Sequence, residues 1–221
     1  MTVSPNFNDR LPGIPIDMLV IHYTGMETCE HAKTRLCDPE AQVSCHYLIE
    51  QDGTVHRLVD EDKRAWHAGV AWWRGAVDVN AHSIGIELVN PGHEFGYQDF
   101  PEPQMIALTN LARSILSRHP IVARNVVGHS DVAPRRKQDP GERFDWHRLA
   151  DVGVGVWAEK APPLLNVTEE QMTMMLTAYG YSVTDLKATV TAFQRHFRPA
   201  NIEGVIDGET AGLLKLLLDA N

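Results

Sequence analysis

Two histidines and one aspartate of this chain could together bind a metal ion. His22 lies at the end of one apolar, strand-like segment, His129 lies at the end of another, and Asp139 follows His129 by ten residues. Two imidazoles and one carboxylate are a common ligand set for catalytic zinc, with the fourth position left for water or a substrate oxygen. Their spacing is not a local metal motif, and the chain has eleven histidines. The pattern alone therefore leaves ordinary packing or surface roles open.

The elements that must position these residues follow from hydrophobic patterning. Apolar runs and alternating segments predict strands, and apolar residues at helical spacing predict helices. The predicted strands cover 16–24, 43–50, 54–60, 83–90 and 124–130, and the predicted helices cover 28–36, 102–117 and 146–150. The second and third strands form a hairpin around Gly53. Because strands alternate with helices and include a hairpin, we predict an α/β fold, a mixed β-sheet flanked by helices.

The chain divides into two units of different character. Residues 1–158 contain the predicted sheet, and 159–166, with the sequence EKAPPLLN and two adjacent prolines, are typical of a linker. Residues 167–221 contain three short amphipathic segments, each of which opens with Thr or Asp at a plausible helix N-cap. We therefore predict a small, separate C-terminal three-helix bundle.

Composition and charge exclude several classes of protein. The 221 residues are 43% hydrophobic and 22% charged, which excludes a disordered, collagenous or fibrous chain. The net charge of −9 argues against a nucleic-acid partner. No apolar run approaches the ~20 residues of a transmembrane segment, so we expect a soluble protein. The three cysteines include no Cys-x-x-Cys pair, and the pairing of any two of them is open.

The N-terminal segment bears on the cellular compartment. MTVSPNFNDR has neither the basic region nor the apolar region of a secretory leader. Taken literally, this predicts a cytoplasmic protein. A chain from which a leader had been removed would look the same, so a periplasmic or outer-membrane-associated location is the alternative.

Five segments resemble, in order, the signatures of one enzyme family. They are VIHYTG, VSCHYLIEQDGTVHRLV, RAWHAG, NAHSIGIELVN and VVGHSDVAPRRKQDPG. In these segments the chain is similar to the zinc-dependent N-acetylmuramoyl-L-alanine amidases of the type 2 class. The resemblance implies a mixed sheet flanked by helices, as in peptidoglycan recognition proteins. It also implies cleavage of the amide between the lactyl group of N-acetylmuramic acid and the L-alanine of the stem peptide, with peptidoglycan or muropeptides as partners.

The same resemblance assigns roles to individual residues. It implies that one zinc ion per chain is bound by His22, His129 and Asp139, and that Glu87 and Lys137 are catalytic. A carboxylate beside the metal can move a proton from water to the leaving amine, and a lysine can stabilise an oxyanion. Without the resemblance, Lys137 would be interpreted as a solvated surface cation. Glu87 lies in a strand-like segment made mostly of apolar residues and glycine. A charged side chain without a functional role is unusual in such a segment.

Further residues of the matching segments are candidates for substrate contact or for lining the cleft, with packing as the alternative. These candidates are Tyr23, Thr24, His46, Trp66 and His67.

The C-terminal unit resembles the type 1 peptidoglycan-binding domain. The resemblance rests on a Phe-Gln pair that ends one helix and on a Gly-x-x-Asp-x-x-Thr turn that begins the next. In this chain those residues are Phe193, Gln194, Gly204, Asp207 and Thr210. The alternative is a helical bundle that only stabilises the catalytic domain.

The sequence is compatible with several functions. The main hypothesis is a zinc amidase of peptidoglycan turnover or recycling, because no predicted ligand position is missing. A catalytically inactive peptidoglycan recognition module is the alternative, and a zinc hydrolase of unrelated amides is a remote third. Within the enzyme hypothesis, the C-terminal unit favours broad substrate acceptance. The sequence leaves open the preference for anhydro-muramic acid, the stem-peptide length, the oligomeric state and the physiological metal.

Overall fold

The protein is described here by a computed structural model of residues 3–220. Residues 1, 2 and 221, which the predicted domain boundaries include, lie outside the described part. The strands are β1 (Phe7–Asp9), β2 (Met18–Tyr23), β3 (Tyr47–Ile49), β4 (Val55–Arg57), β5 (Lys63–Ala65), β6 (Ser83–Leu88) and β7 (Val126–Gly128). The α-helices are α1 (Cys29–Cys37), α2 (Val79–His82), α3 (Gly92–Phe95), α4 (Glu102–Arg118), α5 (His129–Val132), α6 (Trp146–Ala150), α7 (Glu169–Tyr179), α8 (Leu186–Phe197) and α9 (Gly208–Asp219). None of these described helices is both long and apolar enough to cross a bilayer.

A five-stranded sheet with the strand order β4-β3-β6-β2-β7 forms the centre of the fold. Strands β3, β6, β2 and β7 run parallel, and β4 pairs antiparallel with β3 as the predicted hairpin. A separate two-stranded sheet joins β1 to β5. The prediction of a mixed sheet with helices on its faces is confirmed.

Alternation along the strands separates the two faces of the sheet. Leu19 and Ile21 of β2 belong to an apolar cluster with Leu108 and Ile115 of α4, and all four are fully buried. Helix α4 begins where the sequence predicts, with prolines at its N-terminus and a proline shortly after its end. Because successive side chains of a strand point to opposite faces, His22 lies on the face away from α4.

The C-terminal helices cover part of that second face. Val20 of β2 and Val127 of β7 belong to one apolar cluster with Leu176 of α7 and Phe193 of α8. The segment 159–166 forms neither helix nor strand and runs against α9. The helical unit thus shares a hydrophobic core with the sheet domain.

Residues that carry the C-terminal resemblance bond to one another. The Gln194 amide donates to the Val205 carbonyl at 2.9 Å and to Thr210 Oγ1 at 3.0 Å, and its Oε1 accepts from the Gly204 N–H at 2.8 Å. The Asp207 carboxylate caps α9 by accepting from the Thr210 N–H at 2.8 Å. These residues therefore hold the turn between α8 and α9.

A buried carboxylate anchors the helical unit to the end of β7. Asp131 accepts hydrogen bonds from the Gly128 N–H at 2.7 Å, from the Tyr181 hydroxyl at 2.7 Å and from His196 Nδ1 at 2.8 Å. The first of these bonds caps α5, so the last predicted strand ends at Gly128 and His129 begins a short helix. The turn that carries His129 is thereby fixed from both units.

Candidate metal centre

The candidate ligands lie at the carboxyl ends of adjacent parallel strands. His22 near the end of β2 is in register with Glu87 near the end of β6, and His129 directly follows β7. The Ser130 N–H donates to the Asp139 carbonyl at 2.9 Å, which holds the loop from α5 against the same edge. This edge is where open α/β sheets gather ligand-binding groups.

Three side-chain atoms converge at this edge. His22 Nδ1 lies 2.9 Å from His129 Nδ1 and 3.0 Å from Asp139 Oδ2, and His129 Nδ1 lies 3.0 Å from the same oxygen. The three residues are only 1%, 3% and 6% exposed. The structure therefore brings the three predicted ligands together in one buried cluster that could hold a metal ion.

A hydrogen-bond relay fixes which nitrogen of His22 carries the proton. The Ser83 hydroxyl donates its proton to the Val79 carbonyl at 2.6 Å, so its oxygen must accept from His67 Nε2 at 3.1 Å. The other nitrogen of neutral His67 then accepts from His22 Nε2 at 3.0 Å. Burial lowers the pKa of His22 to about 4, so the ring is neutral near pH 7. Its Nδ1 therefore presents a lone pair to the cluster.

The contacts of His129 and Asp139 likewise show which of their atoms face the cluster. His129 Nε2 donates to the Ala68 carbonyl at 3.0 Å, so Nδ1 is the ring nitrogen that faces the cluster. Burial raises the pKa of Asp139, but its contacts with His129 and His22 lower it by more, and the carboxylate stays ionised. Two imidazole nitrogens and one carboxylate oxygen at these distances suit a divalent cation, and outer carbonyls or hydroxyls that orient the rings are typical of metal sites.

The absence of a side chain at Gly85 leaves space for the His67 ring of this relay. A Cβ atom at Gly85 in β6 would lie 2.5 Å from Cγ of His67. Glycine at this position lets the His67 ring lie flat against the sheet, between His22 and Ser83.

A cavity of about 330 Å³ opens beside the cluster. Glu87 and Lys137 both line it, and Glu87 Oε2 is buried with no hydrogen-bond partner among the described residues. Burial and, to a lesser extent, the Asp139 charge raise the pKa of Glu87 well above its ordinary value, while Lys137 opposes the shift. A buried carboxyl group beside a candidate metal site is suited to proton transfer.

The remaining predicted residues divide into two groups. Tyr23, Thr24 and His67 line the cavity. His46 and Trp66 are not among its described lining residues. His46 Nδ1 accepts from the Gly85 N–H at 2.9 Å, and burial lowers its pKa to about 3. Trp66 Nε1 donates to Asn8 Oδ1 at 2.8 Å, which ties it to β1.

Three polar residues that the sequence reasoning missed also line the cavity, namely Arg35, Arg136 and Gln138. Arg136 and Gln138 flank Lys137, so the basic run RRKQ was a usable signal. Arg35 lies in α1, and nothing in its local sequence distinguishes it from a solvated helix residue.

Residues 12–142 match the family of N-acetylmuramoyl-L-alanine amidases. The N-acetylmuramoyl-L-alanine amidase AmiD of Escherichia coli is 37% identical, over 92% of this chain and 83% of its own length. The 1,6-anhydro-N-acetylmuramyl-L-alanine amidase AmpD of Escherichia coli is 36% identical, over 66% of this chain and 87% of its own length.

Solved structures give the same result for the fold. Escherichia coli AmiD, in complex with the substrate anhydro-N-acetylmuramic acid-L-Ala-D-gamma-Glu-L-Lys, superposes with a TM-score of 0.85 at 36% identity, covering 96% of this chain and 93% of that chain. Pseudomonas aeruginosa AmpDh3, in complex with an anhydromuramic pentapeptide, superposes with a TM-score of 0.80 at 31% identity, covering 100% and 98% of the two chains. Both comparisons extend over the helical unit as well as the sheet domain.

Proposed function

This chain belongs to the N-acetylmuramoyl-L-alanine amidase family, and we propose that it is a zinc enzyme that cleaves the amide between N-acetylmuramic acid, including its 1,6-anhydro form, and the L-alanine of the stem peptide. Such cleavage serves peptidoglycan recycling. Relatives with bound anhydro-muropeptides support this substrate class.

The convergence of His22 Nδ1, His129 Nδ1 and Asp139 Oδ2 is the observation that carries the zinc assignment. Two imidazole nitrogens and one carboxylate oxygen match the preferences of Zn²⁺, and three protein ligands leave a position for the reaction. When bound there, zinc would supply Lewis acidity toward the scissile carbonyl and the attacking water.

Glu87 is the group proposed to move the proton. Its free, buried Oε2 can accept a proton from the attacking water and deliver it to the nitrogen of L-alanine as the amide bond breaks. Lys137 lines the same cavity, where its ammonium group would stabilise the negative charge that develops on the carbonyl oxygen. Tyr23, Thr24 and His67 line the space that remains for the substrate.

We propose that the helical unit adds contact with the polymer, so that both fragments and intact peptidoglycan are accepted. Support comes from its shared core with the sheet domain, which holds it in a fixed position against the sheet. The AmpD match covers 66% of this chain, whereas the AmiD match covers 92%.

The activity itself is tested by product analysis. The zinc-loaded protein is incubated separately with anhydro-muropeptides and with intact sacculi, and the products are identified by mass spectrometry. Free stem peptides with an L-alanine N-terminus are expected from both. Release from the anhydro fragments alone would contradict the proposed role of the helical unit, and release from neither would contradict the amidase assignment and favour a binding module.

The relay behind His22 is expected to tune metal affinity. In Ser83→Ala, His67 loses the acceptor that fixes its tautomer, so His22 Nδ1 is no longer held as a lone-pair donor. Loss of such an outer partner typically weakens metal binding about 10–100-fold. Competition with a chromophoric zinc chelator measures the change. Ser117→Ala, at an exposed serine of α4, is the matched control. An affinity equal to that of the wild type would contradict the relay.

A further inference from the structure

A second groove, which we call the basic groove, lies between the 134–138 loop and α8. Its volume is about 430 Å³. Arg136 and Lys137 line both this groove and the cavity beside the metal cluster, so the two spaces share a wall. Lys187 and Arg195 contribute from α8. The groove therefore joins the 134–138 loop to the helical unit.

The basic groove has a charge opposite to that of the whole molecule. Five cationic side chains line it, those of Arg135, Arg136, Lys137, Lys187 and Arg195, although the chain as a whole carries −9. One carboxylate, that of Asp185, also lines the groove. It caps α8 by accepting from the Ala188 N–H at 3.0 Å. A concentration of positive charge against the net charge favours an anionic ligand.

Arg195 contributes a buried cationic side chain to the wall of the groove. The residue is only 8% exposed, and its Nε has no hydrogen-bond partner among the described residues. Nε forms an ion pair with Glu142 Oε2 at 3.5 Å, and the same oxygen accepts from His93 Nε2 at 3.1 Å. Because Nε itself is enclosed, an arriving carboxylate would meet the part of the Arg195 side chain that lines the groove, where the positive charge would attract it.

We propose that the basic groove binds a carboxylate of the stem peptide, beyond the L-alanine at the scissile amide. This inference rests on the proposed function, which places the scissile amide beside Lys137. A γ-linked glutamate keeps its α-carboxylate free, and the last residue of the stem carries another. Successive extended residues advance by about 3.3–3.6 Å, so these groups can reach past the shared wall into the groove.

The groove would therefore select stem peptides by charge, and the helical unit would contribute directly to substrate specificity. Bidentate pairing suits arginine and a carboxylate, and a hydrogen bond to a charged group is among the stronger polar contacts. Interactions made equally in the bound substrate and in the transition state change KM and leave kcat unchanged.

Turnover kinetics of a double variant test the proposal. Arg135 and Lys187 are both exposed, so Arg135→Ala/Lys187→Ala leaves the core intact. With a muramyl tripeptide in the acid form, KM is expected to rise about tenfold or more while kcat changes less than twofold. With the same tripeptide amidated at both free carboxyl groups, the wild type and the variant are expected to have equal KM. The control Arg113→Ala/Lys160→Ala removes one arginine and one lysine at exposed positions outside the groove and should behave as the wild type.

A binding measurement separates this proposal from the amidase assignment. Calorimetry with the free tripeptide L-Ala-D-γ-Glu-L-Lys needs no turnover, and its Kd is expected to rise about tenfold in the double variant. Arg195→Gln should raise the same Kd, and its thermal midpoint shows whether it is folded. If the wild type binds the peptide but does not hydrolyse muropeptides, the amidase assignment is refuted and the assignment of the basic groove as a peptide-binding site stands. Equal Kd values for the wild type and the double variant, or an equal rise in KM on the amidated substrate, would overturn the groove assignment.

Discussion

Glu87→Gln is expected to lower kcat for cleavage of the muramoyl-L-alanine amide by about 10³-fold while the zinc content of the protein stays unchanged. The substitution keeps the shape of the side chain and removes its ability to carry a proton. General acid–base catalysis typically contributes 10²–10⁴-fold, and a 10³-fold loss corresponds to about 4 kcal/mol of transition-state stabilisation.

The position of Glu87 explains why the effect should be this large. It is in register with His22 on the neighbouring strand, and its buried Oε2 has no competing partner among the described residues. Burial and the nearby Asp139 charge raise its pKa, and general acid–base catalysis of amide cleavage needs one group that accepts the proton and then donates it. No other carboxyl group except that of Asp139 is among the described residues that line the cavity.

Steady-state kinetics on an anhydro-muropeptide, with metal analysis of the same samples, measures the effect. Glu94→Gln changes an exposed glutamate outside the cavity in the same way and should retain wild-type kcat. A Glu87→Gln enzyme with kcat within tenfold of the wild type would refute the assigned role. Loss of zinc from the variant would instead assign Glu87 to the metal site.

Asp139→Asn is expected to abolish activity by a different route, the loss of metal. The substitution replaces the anionic donor that completes the set with His22 and His129, while the side chain keeps its size. Loss of an outer hydrogen-bond partner typically lowers metal affinity about 10–100-fold. Loss of the ligand Asp139 itself should lower zinc affinity by more than that. Cation binding also depends on the charge of this ligand, because an imidazole ligand contributes no negative charge.

Zinc retained after dialysis against a chelator, read together with turnover, checks this expectation. The wild type should lose activity on prolonged chelation and regain it with added zinc, whereas Asp139→Asn should stay inactive at the same zinc concentration. Asp99→Asn, at an exposed aspartate on the surface, is the control. Circular dichroism confirms that each variant is folded. A zinc content equal to that of the wild type in Asp139→Asn would remove Asp139 from the ligand set.

The local pattern of apolar and polar residues was sufficient to predict most of the helices and strands. The apolar segments at 16–24 and 83–90 contain β2 and β6, and the segment at 102–117 corresponds to α4 to within one residue. These elements could be predicted because alternation and helical spacing are properties of neighbouring residues in the chain. The end of β7 could not, because Gly128 stops the strand through a bond to the side chain of Asp131.

The ligand set was accessible from ordered motifs, but the orientation of the ligands was not. No local pattern reveals that Ser83 and His67 determine the proton position on His22, or that Gly85 leaves the space for that relay. Motif membership alone also grouped His46 with the cleft candidates, although this ring bonds to the backbone of β6.

The sequence by itself determined the element types, the amidase family and the identities of the three candidate ligands, because these depend on residue type and order. Only the tertiary structure decided which side-chain atoms converge, that the helical unit shares a core with the sheet, and that Arg195 is buried beside the 134–138 loop. Those features arise from contacts between residues far apart in the chain. Their geometry is set by packing of whole elements, on which local propensity has no bearing.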